Sequence, residues 1–165
     1  MWGRRMDAFG EELNTLLVET YRSVGRIEEL MLRDLSAGRL SIGEMHTIEC
    51  VGKSGAKGCS ITEISQEMNI TLPSVTAMVK RLEKKGYLAK EKDPGDGRMV
   101  HITLTAEGRR ADIAHRWFHR RMIAAVRKGM DESEQNVLLR SMRCVNEFMR
   151  RKLHELEGEG KGESD

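Results

Sequence analysis

Residues 60–105 constrain this chain most, because they place two short amphipathic helices, a tight turn and a charged hairpin in immediate succession. Ser60-Ile61-Thr62-Glu63 reads as a capping box, in which the serine oxygen accepts a first-turn N–H and Glu63 reaches back to the cap. Ile61, Ile64 and Met68 then share one helical face. Asn69 tolerates left-handed backbone at a helix end. Thr71 caps a second helix, and Pro73 sits in its first turn, where a missing N–H costs nothing. Leu72, Val75, Val79 and Leu82 form the apolar stripe of that helix, and Gly86 ends it.

The opposite face carries Ser74, Thr76, Ala77, Lys80, Arg81 and Lys84. Short side chains let a backbone approach base edges in a DNA major groove, and cations reach flanking phosphates. A solvated amphipathic helix would look the same in isolation, and the hairpin separates the two readings. Residues 87–92 and 99–105 both alternate, with Leu88, Val100, Ile102 and Leu104 on one face. Asp93-Pro94-Gly95-Asp96-Gly97-Arg98 between them is turn chemistry. Arg98 there can enter a minor groove, with Asp96 holding its rotamer. After a helix-turn-helix pattern, such a hairpin predicts a winged helix.

The segment resembles the DNA-binding core of the MarR family of bacterial transcription regulators. The residues that carry the resemblance are the first short helix, Val75-Thr76, and the run Arg81-Leu82-Glu83-Lys84-Lys85-Gly86-Tyr87-Leu88. Asp96-Gly97-Arg98 and the following Leu104-Thr105-Ala106-Glu107-Gly108 complete it. With its flanking helices, the resemblance covers residues 7–156. It implies a dimer paired through the terminal helices. Two recognition helices on one axis then imply a palindromic operator, with half-sites about 34–36 Å apart.

Charge supports this reading. The net of +2 hides a split: residues 71–128 hold 14 Lys/Arg against 6 Asp/Glu, a net of +8, and the remainder carries −6. A basic middle between acidic ends is the footprint of a polyanion-binding region. No apolar run approaches membrane-spanning length and no signal-peptide pattern is visible, so a cytoplasmic protein without a membrane role is expected. Cys50, Cys59 and Cys144 lack ligand or disulfide spacing, which makes reduced thiols the default.

Residues 7–35 read as one long helix with Phe9, Leu13, Leu16, Leu17, Tyr21, Val24, Ile27 and Met31 at helical spacing. Ser41-Ile42-Gly43-Glu44 starts another helix, with Met45, Ile48 and Val51 inward, fading at Gly52, Gly55 and Gly58. Cys59 is placed on a very short strand beside the hairpin. Thr105 caps a long helix to about Lys128, and Asp131-Glu132-Ser133-Glu134 caps the last one. The expected fold is mainly α with a small β wing. A winged helix-turn-helix domain (41–105) is flanked by dimerisation helices (7–35 and 106–156), with a disordered tail (157–165).

Two inputs are open. Glu44-Met45-His46-Thr47-Ile48 and Phe118-His119-Arg120-Arg121-Met122 resemble the fatty-acid-biosynthesis repressors of Gram-positive bacteria. This implies a response to long-chain acyl-acyl carrier protein, with a Met-rich interior for the acyl chain and arginines for the acidic carrier. Alternatively, His115 and His119 lie i,i+4 on one helix and, with His46, offer a zinc site of the kind some MarR-type regulators use. A thiol switch is disfavoured, since no cysteine precedes Cys50. A winged-helix protein-interaction module is the further alternative. No nucleophile–base set or cofactor loop stands out, so neither catalytic residues nor a cofactor are expected. The expected DNA-contacting residues are Thr71, Ser74, Thr76, Lys80, Lys84, Asp96 and Arg98, with double-stranded DNA and a second copy of the chain as partners.

Overall fold

Asp7 opens the first helix. Its carboxylate accepts the Gly10 N–H at 2.8 Å, and α1 (Ala8–Ser36) then runs unbroken through Gly25. It ends where Ala37 and Gly38 both take positive φ, 50° and 73°. The computed structural model describes residues 6–92 and 100–159. After α1 come α2 (Ile42–Lys53), a 3-10 turn (Gly55–Lys57), α3 (Ile61–Met68) and α4 (Leu72–Lys84). The antiparallel strands β1 (Leu88–Lys92) and β2 (Val100–Leu104) follow, then α5 (Ala106–Lys128) and α6 (Glu132–Glu159). The chain divides into two compact units, Met1–Trp117 and Phe118–Asp165, and α5 contributes to both.

The first unit is built on a single apolar core. Met45, Ile48 and Val51 of α2, Ile64 of α3, Val75, Val79 and Leu82 of α4 and Ile102 of β2 are essentially inaccessible. Each such side chain contributes about 1.5–3 kcal/mol by leaving water. Capping boxes at Ser41/Glu44 and Ser60/Glu63 are closed on both sides and set where α2 and α3 begin. Asn69 takes φ 52° at the end of α3, and Thr71 caps α4 two residues later. The strands pair Leu88 with Leu104, Lys90 with Ile102 and Lys92 with Val100, and Cys59 adds a one-residue bridge to Ile102. In the second unit, Asp131 and Glu134 close a third capping box on α6. No described helix is long and apolar enough to cross a membrane.

Several expectations change in detail. The fading expected over Gly52, Gly55 and Gly58 takes the form of an end at Lys53, one residue past Gly52, followed by the 3-10 turn. A Cβ at Gly52 would come within 2.7 Å of Asp112 Oδ2, so this glycine admits a carboxylate from α5. Leu72 is 48 % exposed, because the first turn of α4 projects beyond the core. Val100 is 42 % exposed, paired with Lys92 at the outer end of the hairpin, whereas Thr103 on the other strand face is buried. The Gly58 turn lies against Thr103 and covers that face. The last helix extends through residues 157–159, three residues into the segment expected to be disordered; residues 160–165 lie outside the described residues.

Candidate nucleic-acid interface

The exposed face of α4 is prepared at its N-terminus. Thr71 Oγ1 accepts the Ser74 N–H at 3.4 Å and lies 2.9 Å from Ser74 Oγ. Thr76 Oγ1 donates to Leu72 O at 2.8 Å, and Thr76 is half-buried. Lys80 and Lys84 are exposed. At 3.6 residues per turn, Ser74 and Thr76 stand about 160° apart, at the two edges of the exposed arc. Ala77, Lys80, Arg81 and Lys84 fill the space between them. Lys84 and Ala77 lie nearest the middle of this face and Arg81 lies beside its Ser74 edge; the sequence-based set of contacts omits Ala77 and Arg81. Arg81 is partly drawn away, with Nε 3.8 Å from Glu44 Oε1. Asp96 and Arg98 lie outside the described residues.

The seating of α4 depends on a charge cluster behind it. Glu44, 4 % exposed, accepts Lys85 Nζ at 2.7 Å on both carboxylate oxygens and the Ser41 N–H at 3.0 Å. Lys85 also donates to Arg39 O at 2.7 Å. Burial works to raise the Glu44 pKa, but the bonds from Lys85 and Ser41 and the charges of Lys85 and Arg81 outweigh it. The carboxyl is held below its usual range. The C-terminal end of α4 is thereby fastened to the N-terminus of α2.

A second cluster joins α1, α2 and α5. Candidate ligand atoms of Glu28, His46 and His115 all lie within 4.8 Å of one another. His46 Nε2 is 3.8 Å from Glu28 Oε1, the two imidazole centroids are 5.9 Å apart, and His115 Nδ1 is 3.5 Å from Glu49 Oε2. His46 and His115 are thus brought together, with Glu28 as the third member. The sequence signal for Glu28 was its phase: it falls four residues after Val24 and four before Leu32, an acid in step with the apolar side of α1. His119 instead stacks edge-on against Phe118 at 5.3 Å. Burial pushes the Cys50 thiol up to about 11, helped by Cys59 and Glu67, and raises that of Cys59 as well. Such thiols are poor nucleophiles.

Comparison with known proteins agrees with this geometry. The MarR family model matches residues 40–100. The crystal structure of Streptococcus pneumoniae FabT in complex with DNA superposes with a TM-score of 0.79 at 33% identity, over 86% of this chain and 97% of that one. The HTH-type transcriptional regulator YcgE of Bacillus subtilis is 33% identical over 98 residues, 58% of this chain and 62% of its own length. YhjH of the same organism is 26% identical over 97 residues, 57% of this chain and 54% of its own. The chain thus spans less than two thirds of these two curated relatives. The FabT structure is a complex with DNA, and YcgE and YhjH are HTH-type transcriptional regulators. With the capped recognition helix, the paired wing strands and near-complete coverage of FabT at this identity, the chain belongs to the MarR family and has its winged-helix fold.

Proposed function

We propose that this chain is a cytoplasmic transcriptional repressor that binds a palindromic operator as a homodimer and responds to long-chain acyl-acyl carrier protein. The exposed, cation-bearing face of α4 carries the DNA reading, and the 33% identity to DNA-bound FabT supports it. Ser74 and Thr76 face base edges, Thr71, Lys80 and Lys84 hold phosphates, and Arg98 enters the minor groove with Asp96 beside it. Exposed apolar side chains favour self-association: Phe9, Leu13 and Leu16 on α1, and Met142, Phe148 and Leu153 on α6. An isologous contact with a second copy covers them. The acyl-carrier response rests on the resemblance of the 44–48 and 118–122 stretches to fatty-acid-biosynthesis repressors.

Fluorescence anisotropy on the DNA upstream of the protein's own gene tests the reading, with and without long-chain acyl-acyl carrier protein. Tighter binding with the acylated carrier is expected, and an unchanged affinity removes this effector. Arg98→Ala is expected to weaken operator binding by about 1–3 kcal/mol while leaving the melting curve in place. Equal affinity of wild type and variant would take the wing off the DNA.

The Glu28–His46–His115 cluster favours a second reading, a zinc-responsive regulator. Two imidazoles and one carboxylate suit zinc, which accepts three protein ligands with a fourth position open. Glu49 beside His115 is placed to orient the ring. Zinc is then expected to change operator affinity, and His46→Ala combined with His115→Ala to abolish the change. Identical anisotropy with zinc and with chelator sinks this reading.

A further inference from the structure

Away from both clusters, a cavity of about 330 Å³ opens in the first unit between the wing strands, the 3-10 turn and the first half of α5. Its volume is near the lower end of the ~300–1,000 Å³ typical of small-molecule sites. Asp112 lines it and is 3 % exposed. Asp112 Oδ2 receives Arg116 at 2.6 Å, whereas Oδ1 has no hydrogen-bond partner among the described residues. Oδ1 is itself inaccessible and lies against Gly52, so Asp112 acts on the contents of the cavity through its charge. Burial raises the Asp112 pKa, the charge of Arg116 opposes this, and Glu49 adds to it.

The remaining lining supplies the complementary charge. Arg109 lines the cavity and donates one N–H to Leu104 O, which leaves further guanidinium donors unused by that bond. Glu91 accepts Thr103 Oγ1 at 3.0 Å through Oε1, leaving its second oxygen. Two guanidiniums and two carboxylates thus surround one small space, while Leu104 and Ile113 give it an apolar wall. A lone anion meets Asp112 and Glu91, and a lone cation meets Arg109 and Arg116. A molecule carrying both charges a short distance apart satisfies all four.

We infer that this cavity binds a free aliphatic α-amino acid, with its ammonium group on Glu91 and within the field of the Asp112 carboxylate, its carboxylate on Arg109 and Arg116, and its side chain against Leu104 and Ile113. The ligand touches both wing strands and α5 and so braces β1 and β2 against that helix. The site shares no residue with the Glu28–His46–His115 cluster or the exposed face of α4, and its test needs no DNA.

Isothermal titration of the full chain with L-leucine provides that test. The single-charge controls are 3-methylbutylamine, which lacks the carboxylate, and 4-methylpentanoate, which lacks the amino group. Saturable binding of leucine is expected, with each control at least about tenfold weaker. Asp112→Asn is expected to weaken leucine binding by a similar factor. Arg109→Ala and Glu91→Gln change exposed residues that leave the core intact, and each is expected to weaken it too. No leucine binding to folded protein overturns the assignment. So does equal binding of either control, or undiminished binding by Arg109→Ala and Glu91→Gln.

Discussion

Gly108→Ala is expected to destabilise the fold by about 3 kcal/mol, at the upper end of the range for overpacked sites. In an ordinary helix the same change is stabilising, by about 0.8–1 kcal/mol, because alanine is the better helix former. The sign of the result therefore separates a local effect from a tertiary one. The first turn of α5 lies directly on the end of β1, and a Cβ at position 108 would overlap the Tyr87 carbonyl oxygen, with Leu104 Cδ2 at 3.3 Å. Tyr87 is buried and its carbonyl accepts the Thr105 N–H at 3.1 Å, so it has nowhere to retreat. Thr105 Oγ1 caps the turn by accepting the Gly108 N–H at 3.0 Å while lying 2.7 Å from Gly86 O. Pushing α5 outward would break this arrangement. Urea denaturation reads the loss as a lower midpoint at unchanged slope. A midpoint that stays put or rises would show that α5 is not seated on the strand as described.

Lys85→Ala is expected to lose about 2–3 kcal/mol at neutral pH. Removing one partner of a fully buried ion pair costs about 3–5 kcal/mol, and the partial exposure of Lys85 moves this case downward. What remains is a Glu44 carboxylate, 5 % exposed in its side chain, with the Ser41 N–H and a guanidinium 3.8 Å away. The pH dependence identifies the cause. In the wild type the folded Glu44 pKa lies below its unfolded value. Its contribution is therefore fully present above the unfolded carboxylate pKa and is lost as pH falls through the folded one. The stability gap between wild type and Lys85→Ala should be widest near neutrality and narrow on acidification. A gap that does not change with pH would mean that Lys85 acts by packing alone. Since the pair fastens α4 to α2, operator affinity of the variant should fall in step with its stability.

Much of the fold was legible because its signals are local. A capping box acts over three residues, and the Ser41, Ser60 and Asp131 boxes all close as their spacing implies. Asn69 and Gly86 take positive φ where a left-handed residue was needed or a helix had to stop. The apolar faces of α2, α3 and α4 follow directly from periodicity. Legibility failed at Leu72 and Val100, where a correct face extends past the core that would cover it. It failed also at Thr103, a polar residue buried by the Gly58 turn far upstream, well outside the window of about 11–18 residues over which hydrophobic pattern is read.

The sequence by itself determined the order and type of the elements, their caps, the basic face of the recognition helix and the family, because each is written in residues three to four apart or in one contiguous motif. Only the tertiary structure decided which ionisable groups are buried and with what. Glu44 meets Lys85, Glu28 joins His46 and His115, and Asp112 lies over Gly52 with one oxygen unsatisfied among the described residues. A buried charge is tolerated only when another element brings it a partner, and that partner is fixed by packing between helices distant in the chain. The glycines at 52 and 108 show the same division: both are helical positions kept bare so that a neighbouring element can approach, a reason that lies in another part of the chain.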